Sequence, residues 1–132
     1  LGFFQCNLTD EHVEQLATRF TGSLSELRAL TLSYNDITNK GLEVIMKMAE
    51  REQALPGLKE LKMCGTRIAP QDWFALPPLL KSNPSALPAI TFIDIGRGNE
   101  RDGFPDGSVS TQWQAYQAIE EAILNRRYPR SV

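Results

Sequence analysis

The chain has 132 residues, of which 42% are hydrophobic and 23% charged, and its formal net charge is −2. That length suits one folded domain or a piece of a larger protein, and the charge balance excludes the strongly basic footprint of a nucleic-acid binder. No apolar run approaches the roughly 18 residues needed to cross a bilayer, so no membrane partner is expected.

Taken in chain order, "LGFFQCNLTD" opens with Leu1, Phe3, Cys6 and Leu8 at intervals that return later. The chain starts at Leu1, inside what reads as a strand, and is expected to continue from upstream sequence of the same parent protein. In "LRALTLSYNDITNKG", Leu27, Leu30, Leu32, Asn35 and Ile37 occupy the same intervals. Leu30 and Leu32 stand two apart, as in a short strand that sends both side chains to one face. Asn35 ends that strand, where its amide can satisfy backbone groups of a turn. From Gly41 the period becomes helical, with Leu42, Ile45, Met46 and Ala49 inside and Lys40, Glu43, Lys47 and Glu50 outside.

"LKELKMCGTRI" restarts the pattern with Leu58, Leu61, Met63 and Ile68, and "LPAITFIDI" supplies Leu87, Ile90 and Phe92. Four units are therefore expected, with Leu1, Leu30, Leu61 and Ile90 aligned on adjacent parallel strands. Pro77 and Pro78 predict one short turn over 70–76 and an irregular segment after it. A polar loop over 96–108 precedes "TQWQAYQAIEEAILNRR", an amphipathic helix with Trp113, Tyr116, Ile119 and Ile123 on one face.

These units resemble leucine-rich repeats, whose signature is LxxLxLxxN/CxL, and their lengths resemble the ribonuclease-inhibitor type, found also at the carboxyl ends of NOD-like receptors. The turn residues Cys6 and Asn35 resemble that type's alternation, whereas Thr66 and Ile95 depart from it. The resemblance covers about residues 1–96. It implies an α/β solenoid with strands on a concave face, helices on a convex face and a C-terminal capping helix. The divisions would be repeats 1–29, 30–60 and 61–89, with a terminal cap over 90–132.

Candidates for chemistry are few. His12 is the single histidine and reads as a solvated residue near a helix start. Cys6 and Cys64 lack CxxC or Cys/His company and read as free thiols of an intracellular protein. Gly96 and Gly98 fail the GxGxxG pattern, and Asp94, Asp102 and Asp106 do not follow a calcium-loop order. No catalytic group, cofactor or metal is expected.

Binding is expected instead. Alternation sends Gly2, Thr31, Lys62 and Thr91 outward in one row and Phe4, Ser33, Cys64 and Ile93 in the next. Gln5, Tyr34, Gly65 and Asp94 stand at the strand exits. The candidate partner-binding residues are thus Phe4, Thr31, Ser33, Tyr34, Lys62, Cys64, Ile93 and Asp94, with Tyr34 foremost. The expected function is a non-catalytic protein-interaction module. The alternatives are a structural cap of a longer array, or regulatory repeats controlling an attached enzyme or nucleotide-binding domain.

Overall fold

Parallel strands set the frame. The computed structural model describes residues 2, 5–19, 26–51, 55–96 and 111–127. Strands β1 (Ala29–Thr31), β2 (Glu60–Lys62) and β3 (Phe92–Asp94) lie side by side in the order β1-β2-β3, all parallel. Leu30 pairs with Leu61 and Leu61 with Ile93, and all three are buried. One pleat further on, Leu32, Met63 and Ile95 are buried as well. The other face carries Ala29, Glu60 and Phe92 in one row and Thr31, Lys62 and Asp94 in the next, each half-buried or exposed.

Helices cover the buried face. Helix α1 (Asp10–Arg19) packs on α2 (Asn39–Glu50). Val13 and Ala17 of α1 and Leu42, Ile45, Met48 and Ala49 of α2 form one side of the core. The start of α2 depends on a carboxylate from α1. Asp10 Oδ1 accepts from Thr38 N at 2.8 Å and from Gly41 N at 3.0 Å, and Asp10 Oδ2 accepts from the Thr38 hydroxyl. Gly41 stands at the third position of α2, where a capping-box glutamate would normally supply this acceptor. Here the acceptor comes from another helix. A β-carbon at Gly41 would lie 2.6 Å from Asp10 Oδ1 and 2.6 Å from Ile37 Cγ2, so the close approach requires glycine. In α1 the equivalent position is His12, whose Nδ1 accepts from Thr9 N at 3.0 Å.

The second half packs differently. A 3-10 helix over Pro70–Ala75 runs directly into α3 (Leu76–Ser82), and both pack against α4 (Thr111–Arg127). The irregular segment expected after residue 76 is helical instead. Pro77 falls in the first turn of α3, where its fixed φ suits a helix start. Trp73 is 1% exposed and anchors this layer with Leu76 and Leu80. Helix α4 adds Ala115, Tyr116, Ile119, Ala122 and Ile123 to the core, with the Trp113 ring stacked on Tyr116 at 5.6 Å.

This arrangement corrects the expected leucine-rich-repeat solenoid with its capping helix. Among the described residues there are four α-helices and one open sheet of three short strands, which is a small α/β domain. Three physical differences account for the change. Leu61 pairs with Ile93, not with Ile90, so the strand of the fourth unit lies three residues further along the chain than expected. The third helical segment is a 3-10 turn plus a seven-residue helix. The last helix packs laterally into the core against the 3-10 segment, α3 and β3. Leu1 lies outside the described residues, and Gly2 meets Thr31 only as an isolated bridge.

Candidate functional site

The strand exits build the site. After each strand the chain turns through a residue with positive φ: Tyr34 at 59°, Gly65 at 69° and Gly96 at 80°, with Gln5 at 50° ahead of them. Glycine adopts this left-handed conformation without strain, whereas a residue with a β-carbon gives up roughly 1–2 kcal/mol. Backbone bonds step across these turns, from Gln5 N to Ser33 O at 3.2 Å and from Tyr34 N to Cys64 O at 2.9 Å.

Asn35 fixes the turn in place. Its Oδ1 accepts from Cys6 N at 2.9 Å and Leu8 N at 3.0 Å. Its Nδ2 donates to Leu32 O at 3.0 Å and Ser33 O at 3.3 Å. One buried amide therefore ties the 5–8 segment to the β1 exit and holds Tyr34 outward. In the next turn, Thr66 takes over part of this work by donating its hydroxyl to Met63 O at 3.2 Å.

Tyr34 is 51% exposed despite its size. Its ring lies against Gly65, where a β-carbon would come within 2.5 Å of Tyr34 Cδ1. Gly65 thus serves two needs, the turn and the seat for the ring. On the outward sheet face, Thr31, Lys62 and Asp94 stand in register across the three strands, half-buried. Asp94 Oδ1 also accepts from Gly96 N at 2.9 Å, which stiffens the β3 exit. Gln112 Nε2 donates to Ile95 O at 2.6 Å and Gly96 O at 2.9 Å, clamping α4 to the same exit. Arg67 and Asp36 form an exposed ion pair at 2.7 Å next to the Tyr34 turn.

Several expected site residues move. Thr31, Lys62 and Asp94 come together in one outward row, and Tyr34 stands exposed at the β1 exit against Gly65. Asp94 belongs to the row of Lys62, the place expected of Thr91, and not to the strand exits. Ile93 is corrected: it is 3% exposed and packs in the core opposite Leu61. Phe92, expected inward, takes an outward half-buried position beside Glu60. Ser33 is also corrected, being 2% exposed under its neighbours, with Cys64 Sγ 3.3 Å from its hydroxyl. Cys64 is half-buried and Cys6 exposed. Phe4 lies outside the described residues. No local sequence pattern marks the pairing of Tyr34 with Gly65; its readable signal is a glycine at the same exit position one strand further on.

Chemical groups elsewhere are mostly committed to structure. Among the described residues, no three His, Cys, Asp or Glu side chains are placed to hold a metal ion. Every buried side-chain nitrogen or oxygen among them has a hydrogen-bond partner. No helix among them is long and apolar enough to cross a membrane.

In structure the chain is similar to one solved as leiomodin-1 actin-binding site 2, with a TM-score of 0.62 at 14% identity. The match covers 92% of this chain and 59% of that one, so this chain spans less than two thirds of its length. At that identity the likeness bears on the fold alone. No family model matches the chain, and no curated protein matches it by sequence.

Proposed function

We propose that this domain is a non-catalytic protein-binding module that seats its partner on the outward face of the three-stranded sheet, with Tyr34 as the anchor. One observation carries the reading. An exposed tyrosine occupies a left-handed turn position that glycine fills in the next two turns, and its ring rests on one of those glycines. Backbone strain of this kind persists where surrounding structure enforces it, and it concentrates at functional positions. Tyrosine also suits an anchor, because it offers a large amphipathic surface with few rotatable bonds. On the sheet face, Thr31, Lys62 and Asp94 provide hydrogen-bonding groups of both charges, the composition of an interface rim.

Tyr34→Gly separates this role from stability. The substitution relieves the left-handed strain, roughly 1–2 kcal/mol, and gives up the packing of the ring on Gly65, so the fold should be retained. Wild type, Tyr34→Gly and the remote control Glu43→Ala serve as baits, each checked for its urea midpoint. Purified actin is the first probe, since the structurally similar leiomodin-1 segment is described as an actin-binding site. The expected result is a partner retained by wild type and Glu43→Ala and lost with Tyr34→Gly. Equal retention by all three folded baits would overturn the proposal.

A further inference from the structure

A groove of about 400 Å³ opens between the end of α3 and the end of α4, remote in sequence from the Tyr34 turn. Leu80 and Ala122 form its buried floor, Pro84 and Pro88 its rim, and Lys81, Asn125 and Arg126 its polar side. Arg126 is the organising residue. Its Nη2 donates to Pro84 O at 2.8 Å and Ala86 O at 2.7 Å, and its Nη1 donates to Leu87 O at 3.2 Å. These bonds hold the 84–88 loop as one wall, including Leu87 at a φ of 48°.

Among the described residues the charge of the groove is not balanced. Among the described residues no carboxylate lies within ion-pair distance of Lys81 or Arg126. Burial pushes the Arg126 pKa below its ordinary value, the sign of a cation drawn partly out of water. Two helix ends offset some of this, since a helix C-terminus carries at most about half a negative charge. Two such ends against two cations leave roughly one positive charge. Among the described residues the lining contains no acidic residue, on a chain whose formal net charge is −2. Arg126 retains Nε–H and one Nη1–H beyond its three carbonyl bonds, and Lys81 has three donors.

We infer that this groove is a second docking site, which takes a short peptide segment presenting one carboxylate beside an apolar side chain. The carboxylate meets Lys81 and the remaining Arg126 donors, and the apolar group rests on Leu80, Ala122 and the two prolines. The site is independent of the Tyr34 face.

The test is a titration of isotopically labelled protein with N-acetyl-Leu-Asp-Leu-amide, followed by amide chemical shifts. The neutral N-acetyl-Leu-Asn-Leu-amide is the comparison. Saturable shifts at Lys81, Asn125 and Arg126 are expected, with the acidic peptide about fivefold tighter because its hydrogen bonds are charge-assisted. Lys81→Glu, at an exposed position that leaves the Arg126 bonds intact, should abolish the preference for the acidic peptide. Tyr34→Gly should leave the titration unchanged, which keeps this site distinct from the proposed sheet-face site. The absence of saturable shifts through the millimolar range, or equal affinity for the two peptides, would overturn the inference.

Discussion

Adding one methyl group at Gly41 sets two effects of opposite sign against each other. By helix propensity alone, Gly41→Ala should stabilise α2 by up to about 1 kcal/mol. The local geometry argues the other way. The new β-carbon would lie 2.6 Å from Asp10 Oδ1 and from Ile37 Cγ2, while Asp10 accepts from Thr38 N, Gly41 N and the Thr38 hydroxyl. Displacing that carboxylate removes a cap, worth about 0.5–2 kcal/mol, and overpacking adds about 1–3 kcal/mol. The clash wins, and the net cost should be about 2 kcal/mol. With a urea slope of about 1–3 kcal/mol/M, the unfolding midpoint should fall by roughly 1 M at unchanged slope. In an Asp10→Ala background most of the polar clash is gone, so the same substitution should cost less, with a coupling of about 1 kcal/mol or more. A raised midpoint in the single variant, or strict additivity in the double, would refute the reasoning.

Other consequences can be measured the same way. Asn35→Ala leaves four backbone groups without their present partner and should destabilise by about 3 kcal/mol, seen as a lower urea midpoint. Leu61→Ala, in the central strand at 1% exposure, should cost about 2–5 kcal/mol through lost burial and a cavity. Arg67→Ala should change stability by less than about 1 kcal/mol, because its pair with Asp36 is 74% and 56% exposed. A larger loss there would mean that the pair is shielded from water.

How much could be read from the chain depends on the range of the forces involved. Helix α4 follows from its own apolar spacing, with Tyr116, Ile119 and Ile123 buried and Glu120 and Glu121 exposed. Leu30, Leu61 and the amide of Asn35 are also legible, because strand alternation and turn chemistry act over a few residues. Register at the third strand is not. Leu87, Ile90 and Phe92 copy the earlier spacing, yet so do Ile90, Ile93 and Ile95 three residues on, and it is this second set that is buried, with Ile93 paired to Leu61. Similar local patterns thereby suggested an extended array where the chain closes a small α/β domain. Pro77 misled for a related reason: its effect depends on where the helix begins, and α3 begins at Leu76. The Asp10–Gly41 contact and the Tyr34–Gly65 contact join residues about thirty positions apart, beyond any local pattern.

The claim that the outward sheet face receives a protein partner is tested most directly by site-specific photo-cross-linking. A photoreactive side chain replaces either Lys62, in the outward row of β2, or Glu43, on the exposed side of α2. The account predicts a partner adduct from position 62, lost when Tyr34→Gly is added, and none from position 43. An adduct from position 43 without one from position 62 would contradict it.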